Sequence, residues 1–345
     1  MAKLKAGSVV RPSMQYIASP PLQSSAFRFI IQSYGPGLAA RRGAAGRYPF
    51  AEVMEHMLDS LEITVLVEDH VPMHGPFLAQ HGLSLLLKGV KDGVETRGLL
   101  DVGQSHEILT HNMKGLGVAP ESIDFLALSH CHYDHTGGVA AFVCSTGKSD
   151  FPVIAHPDLF RPHFTVDPSL AHIGVGSADA LKKIEEAGGR VILSAAPVPL
   201  AEGMASTGEV PRATDFEGPG KRFFTVRDGK TAQDSLPDDM AVTARVRGHG
   251  VVVAAGCCHS GIVNILKHVR ALYPDEPVEG IVGGLHLVNA SEEKMEKTAS
   301  GIREFAPRWI GAGHCTGFPM QAKLLRDYGM AFTPLAVGAT FRVGG

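Results

Sequence analysis

No Asp or Glu precedes Glu52, although Lys3, Lys5, Arg11, Arg28, Arg41, Arg42 and Arg47 all fall in that stretch. An acid-free segment containing Arg and Ser has the composition of an organellar transit peptide; the alternative is a basic arm, flexible or packed on the surface. The formal net charge of -3 therefore conceals -10 on the residues from Glu52 onward. That balance excludes a broad electrostatic hold on nucleic acid, and no stretch interleaves basic with aromatic residues. A run of about 18 apolar residues, as a membrane span would need, is also missing. Cysteine is scarce, with Cys131, Cys144, Cys257, Cys258 and Cys315 giving an odd count and no CxxC pair. A disulfide scaffold is not expected, and a reducing, cytoplasmic compartment fits, or an organellar one if the N-terminal segment is a transit peptide.

What is present is a core-forming chain of 345 residues, 44% hydrophobic and only 19% charged. Its length allows two domains or one large α/β domain. Segments 62–67, 81–87, 97–101 and 125–129 read as strands, and Glu107 to Leu116 has helical spacing ending at Gly117. The alternation resumes with strands at 251–255, 280–282 and 309–312. Helices are expected at 261–272, after Ser291 as N-cap, and at 321–328. Between residues 157 and 239 the pattern weakens: eight prolines and many glycines surround a single helix near 178–187. So long an irregular region is expected to form a substrate-side wall or lid. Strands alternating with helices imply a layered α/β fold.

The chemistry is concentrated in Ser129-His130-Cys131-His132-Tyr133-Asp134-His135-Thr136-Gly137-Gly138, which follows an apolar strand. In extended backbone His130 and His132 point the same way, so both imidazoles can meet one cation. A turn then aims Asp134 and His135 at a neighbouring point, and Gly137-Gly138 lets the chain bend into the next helix. Imidazole with carboxylate suits zinc, iron or manganese. By strand alternation Cys131 should point away from the ligands.

HxHxDH after a hydrophobic strand resembles the hallmark of the metallo-β-lactamase superfamily. The later segments Gly256-Cys257-Cys258-His259-Ser260-Gly261, Gly283-Gly284-Leu285-His286-Leu287 and Gly313-His314-Cys315-Thr316-Gly317 extend the likeness. Together they resemble a subgroup of synthases that join a dihydropterin to an aminobenzene riboside 5'-phosphate, often described simply as metal-dependent hydrolases. The resemblance implies a four-layer αββα sandwich over residues 55–345, following a basic segment 1–54. It implies one or two divalent ions, zinc before iron or manganese, at one edge between the sheets. His130 and His132 would hold the first ion and Asp134 and His135 the second, with His259 and His314 as the later ligands. His286 would be a ligand or an acid/base group. Many members carry a bridging Asp in the slot that here reads Gly256-Cys257-Cys258-His259, so no bridging ligand is assigned.

Asp101, in Leu100-Asp101-Val102-Gly103, matches a motif that supplies a hydrogen bond behind the metal ligands. His156 is a candidate for touching substrate. Ser260 and Gly261 open a predicted helix whose free N–H groups could hold an anionic group. The vicinal Cys257 and Cys258 read as small buried residues. The expected activity is hydrolysis of a small anionic ester, lactone or phosphodiester by metal-activated water, with Asp134 orienting the water and His286 donating a proton. The alternatives are the synthase reaction and a catalytically inactive metal-binding protein. The expected partner is a small-molecule substrate, or additionally a second copy of the chain, without nucleic acid or membrane.

Overall fold

The computed structural model describes residues 56–176 and 179–345. The basic segment, read as an arm or a targeting sequence, lies outside the described residues. In chain order, β1 (Ser60–Val67), β2 (Ser84–Lys91) and β3 (Val94–Leu100) lead into α1 (His106–Gly115) and β4 (Phe125–Ala127). Two short helices, α2 (Tyr133–Thr136) and α3 (Val139–Ser145), precede β5 (Phe151–Ala155). Next come β6 (His163–Thr165), β7 (Ala171–His172), α4 (Ala180–Glu186), β8 (Gly189–Leu193), β9 (Pro199–Ala201), β10 (Met204–Ser206), β11 (Phe223–Arg227) and β12 (Lys230–Gln233). The remaining elements are β13 (Ala241–Val246), β14 (Gly250–Ala255), α5 (Ile262–Leu272), β15 (Val278–Gly284), α6 (Glu292–Arg303), β16 (Trp309–Gly313), α7 (Phe318–Tyr328), β17 (Phe332–Pro334) and β18 (Thr340–Gly344).

Two seven-stranded sheets result, in the orders β18-β1-β2-β3-β4-β5-β8 and β17-β16-β15-β14-β13-β10-β9. Their apolar runs are explained by burial on both faces. In β2, Leu85 and Leu87 enter the core between the sheets while Leu86 lies under helices. In β14, Val252 and Ala254 face the same inter-sheet core, and Val251, Val253 and Ala255 pack with Ile262, Leu266 and Ile302 of α5 and α6. Each buried Leu of this kind contributes about 1.5–3 kcal/mol. Helices α1 and α3 cover the first sheet, and α5, α6 and α7 the second, so the chain is the expected αββα sandwich. Ser105 and Ser291 cap α1 and α6 through bonds from Ile108 N and Lys294 N.

The region expected to be irregular, 157–239, contains seven strands, β6 to β12. Strands β8, β9 and β10 extend the two large sheets, and β12-β11-β6-β7 form a separate four-stranded sheet. These strands run for only 2 to 5 residues between prolines and glycines. Such lengths are too short for a hydrophobic period to show in sequence.

Gly98 of β3 marks how tightly the inter-sheet core is filled. A Cβ there would lie 2.0 Å from Cζ of the fully buried Phe125. Gly98→Ala should therefore lower the unfolding free energy in urea by about 1–3 kcal/mol. An unchanged midpoint and slope would show that the core has slack at this point.

Candidate metal centre

The HxHxDH loop leaves β4, turns through α2, and meets the segments that follow β14, β15 and β16. His130 Nε2 and His259 Nε2 each lie 3.0 Å from His132 Nδ1. A second group lies beside it: His314 Nε2 is 3.2 Å from Asp134 Oδ2 and 3.3 Å from His135 Nε2. All six ligands expected from the sequence are thus brought together, as two adjacent clusters of three. Cys257 joins the second, its Sγ 3.1 Å from His135 Nε2. A thiol therefore occupies the slot where a carboxylate was sought.

The donor set fits divalent cations, because each ring but one has an acceptor or relay behind it. Asp101 Oδ2 accepts from Ser129 Oγ at 2.6 Å and from His135 Nδ1 at 2.6 Å. Ser129 Oγ in turn accepts from His130 Nδ1 at 2.8 Å. Asp69 Oδ1 accepts from His314 Nδ1 at 3.0 Å. His163 lies 2.9 Å from His132 Nε2, and its own Nδ1 donates to Asp234 Oδ2 at 2.7 Å. One N–H of each of these four rings is thereby held outward; the opposite nitrogens of His130, His132 and His135 present lone pairs to the clusters, while that of His314 faces Asp134. His259 is the exception: its Nδ1 is buried with no partner. Burial pushes the pKa of His130, His132 and His259 well below the usual imidazole range, and neighbouring imidazoles push the same way. Neutral imidazole is the ligating form.

Electrostatics differ at the second cluster. Burial opposes ionisation of Asp134, yet His135, His314 and His132 hold it well below the usual carboxylate range. Burial likewise opposes the charge on His314, but Cys315, Asp134 and Asp69 raise its pKa. Asp134 offers an anionic donor that the all-histidine cluster lacks, and Cys257 adds a thiol whose pKa burial raises and which a bound cation would have to deprotonate. The two clusters are accordingly unlike in softness and charge.

Several residues here were not singled out from sequence. His163 enters from β6 of the small sheet, and Arg161 holds Asp234 with Nε and Nη2 at 2.7 and 3.0 Å. The region read as a substrate-side wall is therefore wired to a candidate metal ligand, His132. Glu68, fully buried at the end of β1, accepts the backbone N–H of His314 at 2.5 Å. Half-exposed His81 spans two carboxylates, with Nδ1 3.3 Å from Asp69 and Nε2 3.4 Å from Asp134. A single His or Asp before a turn carries no sequence signal of such partners.

Other expected residues lie differently. Ser260 and Gly261 do precede α5, but that helix start is filled by the chain's own carboxylate. Glu217 accepts Val263 N and Asn264 N at 2.9 Å each, and a Cβ on Gly261 would lie 2.3 Å from its Cδ. Ser260 N donates to Asp239 Oδ2 at 2.7 Å. Glu217 thus occupies the place where an anionic substrate group was expected. His156 is buried, accepts from Asp158 N at 3.1 Å and stands outside the metal-capable clusters. His286 lies beside the site, its ring 4.0 Å from that of His259. Cys131 and Cys258 are buried with apolar neighbours, and burial raises both thiol pKa values.

His163→Phe keeps an aromatic ring but removes the acceptor behind His132. Metal affinity, measured by chelator competition, should fall about 10–100-fold, with far-ultraviolet circular dichroism unchanged. Equal affinity would show that His132 is oriented without its neighbour.

Known proteins share the fold and part of the sequence. Residues 98–231 match the family model of the metallo-beta-lactamase superfamily. The chain is 32% identical over 284 residues to the 7,8-dihydropterin-6-methyl-4-(beta-D-ribofuranosyl)-aminobenzene-5'-phosphate synthase of Methanocaldococcus jannaschii, covering 81% of this chain and 96% of that protein. An uncharacterized protein of the same organism is 31% identical over 268 residues, covering 76% and 93%. Among solved structures, a metal-dependent hydrolase of the beta-lactamase superfamily superimposes with a TM-score of 0.69 at 24% identity, covering 83% of this chain and all of that one. The fold extends to YhfI from Bacillus subtilis, with a TM-score of 0.50 at 12% identity over 83% of this chain and all of that one. The two histidine-lined clusters, the αββα layers around them and the near full-length relatives agree: this chain belongs to the metallo-β-lactamase superfamily.

Proposed function

We propose that the chain is a metal-dependent synthase that joins a dihydropterin to an aminobenzene riboside 5'-phosphate. The observation that carries this reading is the 32% identity to a synthase of that name over 81% of the chain. Hydrolysis, the activity first expected from the motifs, rests on the superfamily alone. The rim of the site supports a flat substrate over a compact ester. Tyr133, immediately before Asp134, is partly exposed, and its ring lies 6.5 Å from that of His81. An aromatic face is thus offered beside the second cluster, where a heteroaromatic ring can stack.

Zinc is the cation we assign, since thiol and imidazole donors favour it over magnesium or calcium. Bound there, it would supply Lewis-acid polarisation of a substrate group or activation of water. The chain's own contribution is orientation and proton traffic. Asp134 is held ionised against His314 and His135. His81 touches Asp134 with Nε2 and Asp69 with Nδ1, and its exposed side opens to solvent. It can therefore carry a proton between the site and bulk water.

The test is incubation of zinc-loaded enzyme with 4-(β-D-ribofuranosyl)aminobenzene 5'-phosphate and a 7,8-dihydropterin whose 6-methylene carbon carries an oxygen leaving group such as diphosphate, which the arylamine nitrogen displaces with loss of its proton, read by mass spectrometry. The joined product should form, and His132→Ala should abolish it. Release of product from a single ester, lactone or phosphodiester, without any joined product, would return the assignment to hydrolase. Metal binding without either turnover would indicate an inactive metal-binding protein. His81→Phe should lower kcat about 100-fold with metal content unchanged; an unaltered kcat would remove His81 from the proton path.

A further inference from the structure

Cys257, His286 and Cys315 form a third group of donors, all within 4.8 Å of one another. Neither His286 nor Cys315 belongs to the two clusters described above, and only Cys257 is shared with the second. The origin of the group is topological. Strands β14, β15 and β16 are neighbours and run parallel. They end at Ala255, Gly284 and Gly313, and each releases one donor two residues later. The carboxyl edge of a parallel sheet is where ligand sites are commonly built.

Local geometry keeps the place clear. A Cβ on Gly284 would lie 2.6 Å from Cys315 Sγ, so the glycine leaves the room that the sulfur occupies. Left-handed backbone at His286, with φ of 47°, turns that residue so that its N–H meets Cys315 Sγ at 3.2 Å. The Nδ1 atom of His286 is buried and has no hydrogen-bond partner. Both sulfurs are buried, with Cys257 2% and Cys315 8% exposed. Thiolate donors offset part of a divalent cation's charge, which lowers the cost of burying it. Sulfur with imidazole selects zinc rather than a hard cation, and three protein donors leave one position open.

We propose that Cys257, His286 and Cys315 hold a third zinc ion, with the Cys257 thiolate bridging it to the Asp134–His135–His314 position. This goes beyond the synthase reading and does not depend on which reaction the enzyme performs. Chelator-stripped full-length protein titrated with cobalt(II) chloride should saturate at three equivalents, with a thiolate-to-cobalt charge-transfer band in the near ultraviolet. Cys315→Ser and His286→Ala should each saturate at two and keep the bands of the remaining ions. Cys257→Ser should lose the third equivalent and also bind the second more weakly. Saturation of the wild type below three equivalents would overturn the proposal, as would three equivalents in both Cys315→Ser and His286→Ala. Should either variant misfold, alkylation of Cys315 in the wild type decides. Protection in the three-metal form and reaction in the stripped form support the site; equal reactivity, or a Cys257–Cys315 disulfide in the isolated protein, refutes it.

Discussion

Five imidazoles and a carboxylate are buried in mutual contact, and the surrounding structure is arranged to keep their lone pairs pointing inward. A buried imidazole can be neutral in either of two tautomers, and only one of them ligates through the inward nitrogen. Asp101, Ser129, Asp69 and the His163–Asp234 pair select that tautomer for four of the five rings. Apart from Ser129, the neighbour of His130, these groups follow β3 or β1 or come from the small sheet, so the choice is made largely by tertiary structure. The register of the first sheet is therefore part of the chemistry. Shifting β3 against β4 would separate Asp101 from Ser129 N, which it accepts at 2.7 Å.

The part of the site that was legible in sequence is the part that is contiguous or follows a strong strand. His130, His132, Asp134 and His135 sit in one loop, and His259 and His314 each come directly after an apolar run. The layers were legible for a related reason: long runs such as Val251 to Ala255 are apolar at every position because both faces are buried. His163, Asp69, His81 and Asp234 were not legible. Each is a single polar residue whose partner lies between 12 and 245 positions away. Local pattern holds no trace of such pairings. Cys257 is a different case, since the right slot was identified but only a carboxylate was sought there. Sulfur 3.1 Å from His135 shows that a thiol can take the same place.

The helix α5 shows how a sound local argument can be overruled. Its amino-terminal N–H groups are free in principle, and helix starts do attract anions. The tertiary fold brings Glu217 onto them, and burial raises the pKa of that carboxyl even as Val263 and Asn264 stabilise its ionised form. An internal anion thereby excludes an external one.

Glycine at the strand ends ties these observations together. Gly256, Gly284 and Gly313 stand directly before or shortly before the donors that leave β14, β15 and β16. A Cβ would meet Ser129 Oγ at 2.1 Å from Gly256, Cys315 Sγ at 2.6 Å from Gly284, and Glu68 Oε1 at 2.3 Å from Gly313. None of the three has a positive φ, so conformational freedom is not the reason for glycine at these positions. Each instead makes room for a group that ligates or positions a ligand: Ser129 behind His130, Glu68 behind His314, and the Cys315 thiol itself. Gly-Cys-Cys-His, Gly-Gly-Leu-His and Gly-His-Cys thus share one logic. The strand must end without a side chain so that the neighbouring element can enter, and the donor follows once that space has been crossed.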